Sequence, residues 1–309
     1  MSANEHGRCR GLSLMSGGLD SQLAVKILER AGAEVEAVTF VSPFFKDDGT
    51  AERAATALGV PLRRIDFTDD ILALIRDPPH GFGGAMNPCI DCHAKMIARA
   101  GELMTELGYD FVATGEVRGQ RPMSQNSQSL ETVAKASGMR GRLVRPLSAK
   151  LLAPTIPEEE GRLNRDLLLD ISGRGRERQI ALAAEFGITD YPSPAGGCRL
   201  TEEGFGRRLK DLMAHEGLDD RRLVDLLTVG RRFRLPGGSS LILGRDRVEN
   251  GRLRGTGFVL VECSTVGPVA AIPVLAAESD LALARRLVDA YAKGTTEADR
   301  LPYRPWQLL

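Results

Sequence analysis

The sequence predicts an α/β fold, a parallel sheet flanked by helices and followed by a smaller α+β domain. Three observations carry that prediction. Short apolar runs rich in β-branched residues alternate with amphipathic helical stretches over the first two-thirds of the 309 residues. A Gly-Gly turn joins the first such run to the first helix. The alternation ends near residue 200, beyond which helices and short strand-like runs come in blocks. A β-α-β-α order implies parallel strands covered on both faces, whereas segregated blocks imply an α+β unit. The expected division is therefore residues 1–200 and 201–309.

Taken in order, residues 12–15 read as a buried strand and 20–31 as a helix. Val35, Val38, Thr39 and Val41 mark a second strand over 35–41. A helix over 50–58 leads into a strand over 62–66, and a helix over 91–107 precedes a strand over 110–114. In such a sheet ligands lie at the carboxyl ends of the strands. The Pro192-Ser193-Pro194 segment breaks the pattern. Helices over 202–215 and 219–229 follow, then strand-like runs at Phe233, 240–243 and 257–262, and a helix over 279–293.

Composition removes several function classes. An apolar share of 42% with 27% charged residues excludes a disordered or fibrous chain. No run approaches the ~18 apolar residues of a membrane span. The polar start lacks a signal-peptide core, so a cytoplasmic location and no membrane partner are expected. Five cysteines in that compartment suggest metal or sulfur chemistry rather than disulfides. With 41 basic and 41 acidic residues, any nucleic-acid surface has to be local.

The sharpest motif is Ser16-Gly17-Gly18-Leu19-Asp20-Ser21, between the first strand and the first helix. Two glycines let the backbone approach a ligand, and the helix start aims free N–H groups and a positive dipole end at it. The hydroxyls of Ser16 and Ser21 supply further donors, and Asp20 either caps the helix or places Mg2+. The Walker lysine is missing, so this is a different kind of phosphate loop. In its strand-turn-helix setting, SGGLDS resembles the PP-loop ATP pyrophosphatases. That resemblance implies binding of ATP and its cleavage between the α and β phosphates, with AMP transferred to an oxygen to make a leaving group.

Three further stretches resemble the tRNA-thiolating branch. Asn87-Pro88-Cys89-Ile90-Asp91-Cys92-His93 is similar to the NPCxxCN stretch of the tRNA 2-thiouridylases, with His93 replacing Asn. Ala113-Thr114-Gly115-Glu116 is similar to their ATGH segment, although Glu116 and the following Val117-Arg118-Gly119-Gln120 and Ser124-Gln125 resemble the GESLGQ…SQ stretch of the 4-thiouridine synthetases. Ala195-Gly196-Gly197-Cys198-Arg199-Leu200 supplies a late cysteine, as in both families. The resemblance spans roughly residues 10–200 and implies ATP-dependent thiolation of a tRNA uridine, with Phe40 and Gly115 beside the nucleotide. A sulfur donor, either a persulfide carrier or sulfide, is a required partner.

Adenylation turns a uridine oxygen into a leaving group, and a sulfur nucleophile then takes its place. A helix start lowers a thiol's pKa, and Cys89 and Cys92 are expected at one. Three readings of Cys89, Cys92 and Cys198 stand. They ligate a [4Fe–4S] cluster with one open iron, which is the preferred reading. Alternatively, Cys92 and Cys198 form a persulfide and resolving pair, as the 2-thiouridylase resemblance implies. In the third, the site holds zinc, with His93 as a further ligand. Asp66, Arg118, Gln120, Arg121, Gln125 and Lys150 are secondary candidates for nucleotide or base contacts.

In the later domain, residues 228–256 carry seven arginines against two acids. Arginine's planar fork suits phosphate, and Arg231, Arg232, Arg234 and Arg245 are the expected tRNA contacts. Leu243-Gly244-Arg245-Asp246 with Asn250 resembles the GRN…N segment of the small RNA-binding domain of NFACT proteins. A small-molecule substrate for the ATP site, in amide synthesis or sulfur insertion, is the competing reading. Such an enzyme needs no arginine-rich segment.

Overall fold

The computed structural model describes residues 8–193 and 197–308. The chain separates into two compact units, one ending at Cys198 and one beginning at Arg199. The first unit runs β1 (Arg10–Leu14), α1 (Leu19–Arg30), β2 (Glu34–Val41), α2 (Thr50–Leu58), β3 (Leu62–Asp66), α3 (Thr68–Arg76), α4 (Cys89–Glu106), β4 (Phe111–Ala113), α5 (Ser127–Ala136), β5 (Leu143–Val144), α6 (Ile156–Glu159) and α7 (Glu177–Glu185). Its strands lie in the order β3-β2-β1-β4-β5, and every pair is parallel. Successive side chains of a strand point to opposite faces, so each face needs its own apolar cover. Leu12, Val38 and Val112 pack on one face against Ile97, Met104 and Val133 of α4 and α5. Ala37, Phe111 and Ala113 pack on the other against Leu23 and Ile27 of α1.

The strand order reverses at β1, which has β2 on one side and β4 on the other. The helices that follow β1 and β4 leave in opposite directions from that point and open a crevice at the carboxyl edge. The ordered elements differ from the expected ones where the signal is short. Helix α4 starts at Cys89, two residues early, because Pro88 sits at the N-cap, where its missing N–H costs nothing. Strand β5 has only two residues, too few for a pattern to register.

The second unit runs α8 (Glu203–His215), α9 (Arg221–Asp225), β6 (Arg231–Arg234), β7 (Ser240–Leu243), α10 (Arg247–Arg254), β8 (Val259–Glu262), β9 (Val269–Ile272), α11 (Glu278–Ala290) and α12 (Glu297–Arg300). Its sheet is antiparallel in the order β6-β7-β9-β8, with Phe233, Leu241, Ile272 and Leu287 in the core. The fold class therefore agrees with the sequence: a parallel sheet flanked by helices, followed by a separate α+β unit. Among the described residues no helix is long and apolar enough to cross a membrane.

Candidate active site

The loop between β1 and α1 is built around two glycines. Gly17 takes φ +76°, and a Cβ there would stand 2.6 Å from the Thr50 carbonyl oxygen, so the position admits only glycine. Gly18 is the extended N-cap of α1, and no side chain caps that helix. Its first N–H groups therefore face the loop uncovered. Ser21 Oγ donates to the Gly18 carbonyl at 2.8 Å and lies 3.5 Å from Ser16 Oγ, which accepts from the Gly18 N–H at 3.4 Å.

Asp20 is not the cap. Its Oδ2 accepts a hydrogen bond from Gln120 Nε2 at 3.0 Å, while its buried Oδ1 has no hydrogen-bond partner among the described residues. A buried carboxylate oxygen left without a donor costs stability unless a cation or proton reaches it. Asp20 thus presents one unengaged carboxylate oxygen in the loop. Gln22, which sequence reasoning missed, is buried and donates from Nε2 to the carbonyls of Gly17 and Asp190 at 2.8 and 2.9 Å. It ties the loop to the segment leading toward Cys198. Its only sequence signal is its place immediately after Ser21.

Beyond β4 the chain passes directly under the start of α1. A Cβ on Gly115 would lie 2.6 Å from the Asp20 carbonyl carbon and oxygen and 2.7 Å from the Ser21 nitrogen. Glu116, the residue that departs from the 2-thiouridylase pattern, is buried. It pairs with Arg145 at 2.8 Å, accepts from Thr114 Oγ1 at 3.0 Å and meets His93 Nδ1 at 3.3 Å. Burial alone would raise its pKa, but Arg145 and His93 overcome this and hold it at about 2. His93 therefore links the start of α4 to the end of β4 through a carboxylate.

Cys89 and Cys92 both lie in the first turn of α4, which begins at the carboxyl edge of the sheet. Cys198 pairs with Phe45 through an isolated antiparallel bridge, and the neighbouring Gly197 carbonyl accepts from the Lys46 N–H at 2.8 Å. These contacts hold Cys198 against the segment that follows β2. Ala195 and Gly196 of the same motif, and Pro194 of the breaking segment, lie outside the described residues. The helix start does not lower the Cys92 thiol. Burial pushes it well above the ordinary range, and the nearby Cys198, Cys89 and Asp91 push the same way. Desolvation outweighs the dipole because the side chain is 8% exposed. Cys89 Sγ accepts from Asn87 Nδ2 at 3.1 Å.

Among the described residues no three His, Cys, Asp or Glu side chains are grouped so as to hold a metal ion. The cluster and zinc readings of the three cysteines thus gain no support from the side chains as placed. Asp91, buried beside Cys92, meets His80 Nδ1 at 2.6 Å and accepts from the His80 N–H at 3.0 Å, a link the sequence did not suggest. The other two cysteines are elsewhere. Burial and Asp110 push Cys9 up to about 12, and Cys263 in the second unit donates to Asp289.

The remaining candidates divide between the site and the scaffold. Phe40 packs edge-on against Phe67 at 5.2 Å. Asp66 accepts from the Thr68 N–H at 2.8 Å at the start of α3, and Lys150 donates to the Asp166 carbonyl at 2.8 Å. Arg118 donates from Nε to Ser127 Oγ at 2.9 Å, and Arg121 is exposed. Gln125 is buried, with Oε1 lacking a hydrogen-bond partner among the described residues.

The four arginines expected to meet tRNA are not equivalent. Arg232 is 1% exposed; burial pushes its pKa down to about 10, and its Nε and Nη1 have no hydrogen-bond partner among the described residues. Arg234 is engaged by Asp211 at 2.5 Å and Glu216 at 2.7 Å. Burial works against its charge, but the two carboxylates raise its pKa above the ordinary value. Arg245 is exposed and paired with Glu249, and Arg231 lies 5.3 Å from the Tyr291 ring centroid. Strand alternation puts Arg232 and Arg234 on one side of β6 and Arg231 with Phe233 on the other.

Residues 11–149 match a family of unknown function, DUF7411. The chain is also similar to tRNA-specific 2-thiouridylases MnmA. The protein of that name from Cutibacterium acnes is 35% identical over 122 residues, covering 34% of this chain and 33% of its own. The one from Marinobacter nauticus is 30% identical over 128 residues, covering 37% and 32%. The chain thus spans about a third of the length of the curated relatives it matches. A 4-thiouridine synthetase, solved as an RNA complex with bound ATP, is 20% identical with a TM-score of 0.41, covering 71% of this chain and 53% of that one.

Proposed function

We propose that the protein is an ATP-dependent tRNA uridine sulfurtransferase. The observation that carries this reading is a convergence at the carboxyl edge of one sheet. An uncapped helix start behind a Gly-Gly loop, a carboxylate with a free oxygen, and a buried cysteine close to a second cysteine all lie there. The curated relatives' name, tRNA-specific 2-thiouridylase, supports the same substrate class.

In this reading the N–H groups at the start of α1, with Ser16 and Ser21, hold the phosphates of ATP. Asp20 Oδ1 would hold Mg2+, which would supply positive charge beside the departing pyrophosphate, and Gln120 keeps that carboxylate in place. A uridine oxygen attacks the α phosphorus and pyrophosphate leaves. Cys198, the less buried of the pair, carries a persulfide from the sulfur donor. Its outer sulfur attacks the activated carbon and AMP leaves with the bonding electrons. Cys92 then attacks the inner sulfur of the Cys198 adduct. A Cys92–Cys198 disulfide forms, the thiolated base departs, and the Cys92 proton ends on N3 of the base. Two equivalents of an external thiol reduce the disulfide and leave joined as a disulfide of their own. The second unit grips tRNA, chiefly through Arg231 and secondarily through the exposed Arg245, which one carboxylate partly offsets, since Arg232 is buried and Arg234 is held by two carboxylates.

Mass spectrometry of tRNA nucleosides from cells with and without the gene tests the assignment. Loss of one thiolated nucleoside is the expected result. An unchanged nucleoside profile, with AMP formed on a small molecule instead, would replace tRNA as the substrate.

A further inference from the structure

The second unit contains a cavity of about 390 Å3 whose lining includes Arg231, Arg245, Arg247, Tyr291, Lys293 and Arg300. Five of those six side chains are cationic. The acid on the rim, Asp246, is occupied in capping α10, where it accepts from the Glu249 N–H at 2.9 Å. Arg245 is partly offset by Glu249, which leaves Arg231, Arg247, Lys293 and Arg300 as the charge of the cavity. Tyr291 organises two of these: the guanidinium carbons of Arg231 and Arg300 lie 5.3 and 5.2 Å from its ring centroid. Arg300 Nε is buried and has no hydrogen-bond partner among the described residues. Arg247 and Lys293 are exposed at the mouth.

Planar guanidinium groups held by an aromatic ring, with a buried N–H still to be satisfied, are suited to a phosphate. The volume is that of a small-ligand pocket, which runs from about 300 to 1,000 Å3. A duplex presents its phosphates along a convex rod and meets only the open mouth of such a pocket, whereas an unpaired nucleotide can be splayed into it. Resting on the reading of the second unit as an RNA grip, we propose that this cavity receives one phosphate-bearing nucleotide of a single-stranded RNA segment. The cavity makes recognition depend on an unpaired stretch and adds Arg247, Lys293 and Arg300 to the contacts.

Fluorescence anisotropy on the full-length protein tests this with a short labelled single strand, a duplex of the same sequence, intact tRNA and polyglutamate. The single strand should bind more tightly than either the duplex or polyglutamate. Arg247→Gln with Lys293→Gln should weaken it by about tenfold or more. Arg252→Gln with Arg254→Gln removes an equal charge from α10 outside the cavity and should change the affinity by less than about twofold. If wild type binds intact tRNA but the double variant binds the single strand unchanged, the cavity inference fails and the RNA reading survives. Failure of wild type to bind any RNA removes both. Equal binding of duplex and single strand, or of polyglutamate and RNA, overturns the cavity's assignment to an unpaired nucleotide.

Discussion

Asp20 and the two site cysteines divide the proposed chemistry at the scale of single residues. Asp20→Asn keeps the hydrogen-bonding partner of Gln120 but removes the charge that the free Oδ1 offers a cation. Formation of AMP and pyrophosphate should fall by about a hundredfold or more, with the circular dichroism of the fold unchanged. Release of ADP and phosphate by wild type would contradict the loop's assignment. The cysteines separate by consequence. Cys92→Ala and Cys198→Ala should each abolish thiolation while Cys89→Ala retains it, because Cys89 is hydrogen-bonded to Asn87 and has no part in the persulfide steps. Thiolation lost in all three variants would reject the two-cysteine mechanism.

Elements impose constraints that no residue shows alone. The end of β4 and the start of α1 approach so closely that Gly115→Ala would drive a methyl group into the Asp20 and Ser21 backbone. Relief requires α1 to shift, so stability should fall by about 1–3 kcal/mol and ATP affinity should fall with it. Denaturant melts with and without ATP read both effects, and a variant that binds ATP normally would show that the approach is unimportant. Glu116 couples the same strand end to α4 and α5. Its folded pKa of about 2 lies below the ordinary 4.5, so its stabilisation is complete above about 4.5 and is lost as pH falls toward 2. Glu116→Gln should flatten the pH dependence of stability across that window. At neutral pH it should cost about 3–5 kcal/mol, since Arg145 is left buried without its partner.

These element contacts also explain what the sequence could reveal. Strands such as 35–41 and helices such as α1 were legible because periodicity over several residues reports which face is buried. The loop was legible because Gly17 sits where only glycine fits. Helix α10 was not, for its mean composition is strongly polar and it buries little beyond Leu253 and the Glu249 that holds Arg245. Strand β9 is a run of small apolar residues between Pro268 and Pro273, without alternation to mark it. The burial of Cys92 depends on residues far away in the chain, and so does the neutralisation of Arg234. Local sequence carries the dipole argument for the thiol but not the desolvation that reverses it.

The whole chain carries equal numbers of basic and acidic residues, so RNA binding by long-range attraction to the molecule as a whole is not expected. Binding must come from a small set of local contacts, and salt dependence counts them. Each phosphate contact contributes a slope of about 0.7–0.9 to the fall of log K with log salt. Had all four arginines of the β6–β7 region reached phosphate, removing them would take away about four such increments. Arg232 is buried and Arg234 is held by two carboxylates, so the expectation is smaller. Arg231→Ala with Arg245→Ala should lower the slope by at most about 1.4–1.8, with the larger share from Arg231 because Glu249 partly offsets Arg245. Adding Arg234→Ala should change it little, and Arg232→Ala should act on stability instead, because truncation leaves a gap in the core of the second unit. A tRNA titration at several salt concentrations, paired with a thermal melt of each variant, separates the two effects. Equal slope losses from all four single variants would show that the carboxylates around Arg234 release it when RNA binds.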